Sequence, residues 1–192
     1  YGERRPKGSP EFIDRLNDPY ELGPIIRQSV MDVRRARDWL KTRDNVDTGR
    51  IGLVGMSLGG FTAALVSGVD ATFKRVAIVV AGGNFAKVLT NPGAPIPHYI
   101  ALCRKMGVTE DDLRKALVSN EPLTFAGRLK STQVFMINGR QDKVVPSECA
   151  DDFGRQANAY QMWYTGGHMS LIPMMKVLID YLGRHFSDED WS

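Results

Sequence analysis

The sequence lacks several features that would point to common functions. It has two cysteines in 192 residues, Cys103 and Cys149, without a CxxC or a Cys/His cluster. Neither a disulfide framework nor a zinc site is therefore predicted. No apolar run approaches the roughly 18 residues of a membrane-spanning helix. The G-x-G-x-x-G and P-loop patterns are also missing, which makes a nucleotide-binding enzyme a distant alternative. We expect no metal and no cofactor.

The sequence also has no large excess of basic or of acidic residues. The chain has 25 basic and 22 acidic residues, and its formal net charge is +3. No nucleic-acid partner and no membrane-surface partner are expected from this balance. The first ten residues contain neither an apolar signal segment nor a methionine, so we expect a chain that is cut at its N-terminus. Unpaired cysteines are typical of a reducing compartment, which predicts a cytoplasmic protein.

Strand and helix patterns alternate along most of the chain. The composition, 43% hydrophobic, is that of a single domain over residues 1–192. This alternation predicts the α/β class, a mostly parallel sheet flanked by helices. Residues 85–128 interrupt it and form a candidate lid or insertion, with an ordinary packed excursion as the alternative. Predicted strands cover residues 50–55, 73–81, 132–138 and 160–164, and predicted helices cover 24–40, 58–66, 109–118, 146–158 and a final segment from Leu171 to Leu182.

The segment Gly55-Met56-Ser57-Leu58-Gly59 matches the pattern G-x-S-x-G. A predicted buried strand runs into it and a predicted helix leaves it, which is the setting of an exposed nucleophilic serine on a tight turn. The flanking glycines, Gly55 and Gly59, would give this turn room. The alternative is a glycine-rich packing turn whose serine only caps the helix. The strand and helix context favours Ser57 as a nucleophile.

A serine nucleophile needs a base and a carboxylate that orients the base. Asp142 follows the third predicted strand and His168 follows the fourth. The carboxyl ends of parallel strands share one edge of a sheet, so both side chains should meet Ser57 there. Three other carboxylates could compete for the acid role, although a helix start alone explains them. These are Glu148, Asp151 and Asp152.

These motifs, with Asp142 to Pro146 and Gly167-His168, resemble the C-terminal half of the α/β-hydrolase superfamily, in particular its dienelactone-hydrolase and acetyl-esterase-like branches. The resemblance implies Ser57 as nucleophile, His168 as general base and then acid, and Asp142 as its orienting carboxylate. It also implies the backbone N–H of Leu58 as an oxyanion-hole donor. We further expect Met56 and Met169 to contact the substrate, with core packing as the alternative for the methionines around His168.

We expect the remaining histidines and Cys149 to have structural roles. His98 lies in the proline-rich insertion and His185 near the end of the last helix, and both are expected to be structural. Cys149 falls in the first turn of a predicted helix, but without a paired base it is expected to be a small buried residue. The run of basic residues on the first helix, from Arg27 to Lys41, is expected to be its solvated face.

The resulting hypothesis is a serine esterase that cleaves small-molecule carboxylic esters through an acyl-enzyme. The alternative is a non-catalytic or incomplete hydrolase-fold module. The resemblance does not include the superfamily's first strands, nor the loop among them that supplies a second oxyanion donor. The nucleophile strand, residues 50–55, would then lie at an open sheet edge. We expect an N-terminal partner segment or a second copy of the chain to cover this edge, and slow catalysis without it.

Overall fold

Four parallel strands lie at the centre of the part of the chain that the structure describes. The computed structural model describes residues 18–93 and 97–187, with residues 97 and 98 described by their backbone alone. The strands are β1 (Leu53–Met56), β2 (Arg75–Val79), β3 (Gln133–Gly139) and β4 (Tyr160–Tyr164). The α-helices are α1 (Leu22–Leu40), α2 (Leu58–Val69), α3 (Phe85–Thr90), α4 (Pro97–Met106), α5 (Glu110–Leu117), α6 (Pro122–Phe125), α7 (Ser147–Gln156) and α8 (Met175–Ser187). Short 3-10 helices cover Val118–Asn120, Ala126–Ser131 and His168–Met174.

The strands lie in the order β1-β2-β3-β4, and every neighbouring pair is parallel. Successive side chains of a strand point to opposite faces, so the sheet contributes to two cores. Val76 and Ile78 join the larger core, to which α1, α2 and α7 contribute. Ala77 and Val79 join the smaller core beneath α8. The predicted α/β class, a parallel sheet with helices on its faces, is confirmed.

The predicted final helix is wrong in one respect. The sequence predicts Leu171 and Leu182 in one helix, but Leu171 lies in the 3-10 helix His168–Met174, and α8 begins only at Met175. Pro173 lies inside this 3-10 helix. Because proline has no N–H to donate, it does not favour a continuous α-helix through this segment.

The basic face of α1 is also less solvated than predicted. Arg34 Nε and Arg37 Nη1 donate to Asp70 Oδ2 over 3.0 and 2.6 Å, and the Asp70 side chain is only 5% exposed. Burial alone would raise the pKa of this carboxyl, but hydrogen bonds from Thr72 and Arg34 and the charge of Arg37 hold the pKa below its ordinary value. These contacts fasten α1 to the residue that ends α2.

None of the helices within residues 18–93 and 97–187 combines the length and the apolar character needed to span a bilayer.

Candidate active site

Ser57 occupies a strained turn between β1 and α2. Its φ of 53° and ψ of −121° lie in a backbone region that residues other than glycine rarely adopt. A Cβ at Gly55 would lie 2.0 Å from the Gly59 carbonyl oxygen, and one at Gly60 would lie 2.5 Å from the Cβ of Ala81. Gly59 itself has open space around a Cβ, so the predicted need for glycine holds at Gly55 and shifts from Gly59 to Gly60. The turn requires close backbone packing that only glycine permits at Gly55.

The three side chains selected from the sequence form one hydrogen-bonded row. Ser57 Oγ lies 2.8 Å from His168 Nε2, and His168 Nδ1 lies 2.7 Å from Asp142 Oδ2. Asp142 is 2% exposed at its side chain and His168 is 12% exposed. In this geometry Nδ1–H donates a hydrogen bond to Asp142, which leaves Nε2 as the acceptor for the serine hydroxyl.

The second oxygen of Asp142 is held by its own loop. Val144 and Val145 donate their backbone N–H groups to Asp142 Oδ1 over 2.8 and 2.9 Å. Both carboxylate oxygens therefore accept hydrogen bonds, and these bonds fix the direction of the carboxylate. Orientation of the imidazole follows from this fixed direction.

The loops that carry the acid and the base are tied together. The N–H of Arg140 donates to the Tyr164 carbonyl and that of Gln141 to the Gly166 carbonyl, both over 3.0 Å. Tyr164 Oη in turn donates to the carbonyl of Gly167, the residue before His168, over 2.9 Å. This role of Tyr164 was not predicted from the sequence. The available signal was its position, since it is an aromatic residue at the end of a strand shortly before the candidate base. Burial raises the pKa of its phenol.

The competing carboxylates are engaged elsewhere. Glu148 pairs with Lys87 over 2.9 Å, while Asp151 and Asp152 pair with Arg155 over 3.3 and 2.5 Å. All of them lie on α7, but only Glu148 lies in its first turn, so the predicted helix-start position is wrong for Asp151 and Asp152. Among the described contacts, none reaches the imidazole of His168.

The helix α2 begins at Leu58, directly after the candidate nucleophile. The first N–H groups of a helix have no partner within the helix and carry its partial positive charge. The Leu58 N–H is therefore suited to an oxyanion next to Ser57, and its role in catalysis stays a prediction. Leu58 is 37% exposed.

Comparison with known proteins identifies the family. A model of the prolyl oligopeptidase family matches residues 26–164, well over half of the chain. The chain belongs to the prolyl oligopeptidase family. The match includes the candidate nucleophile and acid, and it ends at the last residue of β4, just before the loop with His168.

Solved structures agree on the fold. The acetyl xylan esterase of Paenibacillus sp. R4 superposes with a TM-score of 0.71 at 20% identity, over 94% of this chain and 59% of the esterase. Acetyl xylan esterase 1 of Thermoanaerobacterium sp. JW/SL YS485 gives 0.70 at 16%, over 96% and 61%. The acylaminoacyl peptidase of Pyrococcus horikoshii gives 0.67 at 16%, over 84% and 28%. No curated protein matches the chain.

These likenesses confirm the α/β-hydrolase fold predicted from the resemblance. This member of the prolyl oligopeptidase family spans about three fifths of the two esterases and less of the peptidase. The described sheet starts with the strand that precedes Ser57.

The residues with structural interpretations occupy different surroundings. Cys149 is buried, and burial raises the pKa of its thiol to about 12, so it is not a thiolate nucleophile at neutral pH. His185 lies on α8, where its ring packs 5.5 Å from that of Phe135 and its carbonyl accepts from Arg75. Burial, with the charge of Arg75, lowers its pKa. The side chain of His98 lies outside the described part of the chain.

The methionines divide between surface and core. Met56 is 47% exposed and Met169 is 66% exposed, and each adjoins a candidate catalytic residue in sequence. Substrate contact by these two stays a prediction. Met162 and Met175 pack against the smaller core, whereas Met174 is 40% exposed.

Some apolar side chains of the segment 85–128 pack in the larger core. Phe85, Leu89 and Tyr99 are 3%, 6% and 0% exposed, and Phe85 stacks on Phe61 of α2 with ring centroids 4.6 Å apart. These three side chains belong to the larger core of the described residues. A covering role for the segment stays a prediction.

The start of this segment nevertheless reaches the acid loop. Asn91 Nδ2 donates to the Lys143 carbonyl over 2.5 Å, and a Cβ at Gly93 would lie 1.8 Å from the same oxygen. The segment thus supports the loop of Asp142 from outside the hydrogen-bonded row.

Proposed function

We propose that this chain carries the catalytic residues of a serine hydrolase that cleaves carboxylic esters through an acyl-enzyme intermediate. The observation that carries the proposal is the unbroken row from Ser57 Oγ through His168 to Asp142, at 2.8 and 2.7 Å. A serine hydroxyl is a weak nucleophile, and a base held in one orientation is what activates it.

The proposed reaction has two halves. Ser57 Oγ attacks the ester carbonyl while His168 Nε2 takes the hydroxyl proton, and Asp142 stabilises the imidazolium. The Leu58 N–H binds the developing oxyanion. His168 then gives its proton to the leaving alcohol, and the C–O bond breaks. In the second half His168 Nε2 takes a proton from a water, whose oxygen attacks the acyl carbonyl. His168 then returns this proton to Ser57 Oγ as the bond between the acyl carbon and Ser57 Oγ breaks and the free acid leaves.

Two comparisons bear on the choice between ester and peptide. The two acetyl xylan esterases superpose on more of this chain than the Pyrococcus peptidase does, at somewhat higher TM-scores. Membership of the prolyl oligopeptidase family favours the peptide alternative. A matched pair of substrates, an alkyl ester and an anilide with the same acyl group, separates them. We expect turnover of the ester alone, and turnover of the anilide would overturn the proposed ester specificity.

Labelling with a fluorophosphonate tests the mechanism directly. We expect one adduct on the 192-residue chain, mapped by peptide mass to Ser57, and none on Ser57→Ala. The matched control is Ser67→Ala, because Ser67 lies buried in α2 and donates to backbone carbonyls of its own helix. Folded wild-type protein without an adduct would favour the second candidate, an incomplete hydrolase-fold module.

A specific observation favours that second candidate, and with it a partner. Within the described residues β1 pairs with β2 alone, and Val54 and Met56 are 53% and 47% exposed. An edge strand with free N–H and C=O groups and apolar side chains invites another strand. We propose that an N-terminal partner segment or a second copy of the chain covers β1 and supplies the second oxyanion donor.

Light scattering after size-exclusion chromatography, with intact-mass analysis, tests this partner. We expect a mass above 21.4 kDa. Val54→Lys should return the mass to the monomer, and the control Val118→Lys, at a 54% exposed position on a 3-10 helix away from the sheet, should not. A wild-type monomer with no associated peptide and full esterase activity would contradict the proposal.

We also propose a cytoplasmic setting, supported by Cys103 and Cys149, which are buried free thiols. Thiol titration of denatured protein from its natural source should find both thiols free, and a disulfide would contradict this setting.

A further inference from the structure

The backbone is strained where the chain leaves β2. Val80 has a φ of 46°, in the left-handed region that a β-branched residue rarely adopts. Its N–H donates to the Ile137 carbonyl over 2.8 Å. The next N–H, that of Ala81, donates to a side chain, the amide oxygen Oδ1 of Asn138, over 3.0 Å. Asn138 lies on β3 and is 3% exposed. A side-chain acceptor therefore holds the strained exit of β2.

This exit supports the turn that carries the nucleophile. The N–H of Ser57 donates to the Val79 carbonyl over 2.9 Å. A Cβ at Gly60 would lie 2.5 Å from the Cβ of Ala81 and 3.1 Å from the Val79 carbonyl oxygen. The turn therefore lies in direct contact with the chain on both sides of Val80. A shift of Ala81 would be transmitted to Ser57, because close-packed contacts leave no free space to absorb it.

The chemistry of Asn138 points to its oxygen as the useful group. Its amide nitrogen Nδ2 is buried and has no hydrogen-bond partner within the described part of the chain. A buried donor without a partner is unfavourable, and an aliphatic side chain would avoid it. The opposite amide orientation would set Nδ2 against the Ala81 N–H, donor against donor, which excludes it. The acceptor oxygen is what an aliphatic residue would not replace.

We propose that Asn138 is a positioning residue that sets Ser57 Oγ relative to His168 Nε2. The strand that carries Asn138 also leads, four residues later, into Asp142, which orients His168. One strand therefore aligns both ends of the row, the base through Asp142 and the nucleophile through Ala81. This inference rests on the proposed serine-hydrolase function. A displacement of about 1 Å between reacting groups costs on the order of 10²-fold in rate.

Three variants test the inference. Asn138→Leu removes the acceptor, Asn138→Asp keeps an acceptor oxygen, and Asn120→Leu is the matched control. Asn120 is also buried, at 4% exposure, but it lies on the 3-10 helix after α5 and its Nδ2 is 3.3 Å from Ser119 Oγ. For Asn138→Leu we expect kcat and the rate of Ser57 phosphonylation to fall about 10- to 100-fold with KM nearly unchanged. Asn138→Asp should recover most of the rate, and Asn120→Leu should keep the wild-type kcat.

A second measurement does not depend on activity. Amide hydrogen exchange at Ala81 and Ser57 should become faster in Asn138→Leu and should stay slow in Asn138→Asp and Asn120→Leu. If Asn138→Leu does not fold, Asn138→Ala removes the same acceptor and is held to the same expectations.

Failure of the inference differs from failure of the proposed function. Wild-type protein that does not react at Ser57 would remove the proposed function, and unchanged amide exchange in the acceptor-free variant would still overturn the inference. Wild-type kcat in that variant overturns it as well. So does an equal loss in Asn138→Leu and Asn138→Asp, because a role in burial alone predicts no rescue by the carboxylate.

Discussion

Strands β1 and β2 are neighbours and both are mostly apolar, but their residues differ in exposure to solvent. Every residue of β2 is buried, whereas exposure alternates along β1. The register places Val54 beside Ala77 on the same face of the sheet, yet Val54 is 53% exposed and Ala77 is 0% exposed. The two strands differ in their position in the sheet, because among the described residues β2 has a strand on each side and β1 has a strand on one side.

This difference divides the candidate site into an enclosed half and an open half. Asp142 and His168 follow β3 and β4, and their loops are tied by backbone hydrogen bonds. Ser57 follows the edge strand β1, and its support comes from the exit of β2. The enclosed half is complete within the described residues, while the open half has apolar surface without a neighbour. A partner is therefore expected to act on the nucleophile rather than on the acid–base pair.

The largest expected effect tests whether the two halves act as one unit. Ser57→Ala in the open half and His168→Ala in the enclosed half should each lower kcat by at least about 10³-fold, because loss of either group disables the other. Asp142→Asn should leave more residual rate than either. Steady-state kinetics, with circular dichroism to verify folding, measures this.

The variant that combines Ser57→Ala, His168→Ala and Asp142→Asn supplies the control. Its loss should be close to that of Ser57→Ala alone, since the effects of residues that act together do not add. Wild-type esterase activity in rigorously purified Ser57→Ala would show that the proposed mechanism is wrong.

The same substitution on the two strands measures the difference in enclosure. Val76→Ala on β2, at 0% exposure, should lower the free energy of unfolding by about 2 kcal/mol, from two lost methyl groups and the cavity they leave. Val54→Ala on β1 should cost less than about 0.5 kcal/mol in the free chain. Urea unfolding of both variants makes the measurement. Equal losses would mean that β1 is covered in solution, and a partner bound during the experiment would be the first cause to examine.

Asp70 links the open half to α1, and its contribution should depend on pH. Its pKa in the folded protein is below the ordinary value, so its stabilising contribution is present above about pH 4 and is lost as the pH falls through the lowered pKa. Asp70→Asn should therefore lower stability at pH 7 by about 1–3 kcal/mol and flatten the acid limb of the stability curve. Thermal unfolding from pH 2 to 7 tests the sign, and a constant difference between variant and wild type would contradict it.

The smallest expected effect concerns the substrate. Met169→Ala should raise KM for a long acyl ester by less than about tenfold, since an exposed side chain contributes a limited contact. Met31→Ala is the control, because Met31 is 41% exposed on α1, outside the candidate lid. Equal KM values for both variants and wild type would remove Met169 from the predicted substrate contacts.

Local patterns accounted for much of the fold and of the candidate site. The strand Tyr160–Tyr164 and the capped helix after Thr109 appear where alternation and capping chemistry predict them. Ser57 could be selected because its motif is contiguous, and Asp142 and His168 because each follows a predicted strand. Boundaries were less accurate, as at Leu171, where one predicted helix is a 3-10 helix followed by α8.

The sequence by itself determined the α/β class and the side chains that meet at one sheet edge, because periodicity and turn chemistry act between residues close in the chain. Only the tertiary structure decided the contacts between distant residues. These contacts include the hydrogen bond from the Ala81 N–H to Asn138 and the ion pair between Arg37 and Asp70. They also include the close approach of Gly60 to Ala81, which leaves no space for a side chain at Gly60. The exposure of β1 was expected from the resemblance, but its extent depends on neighbouring strands and helices, which local sequence does not encode.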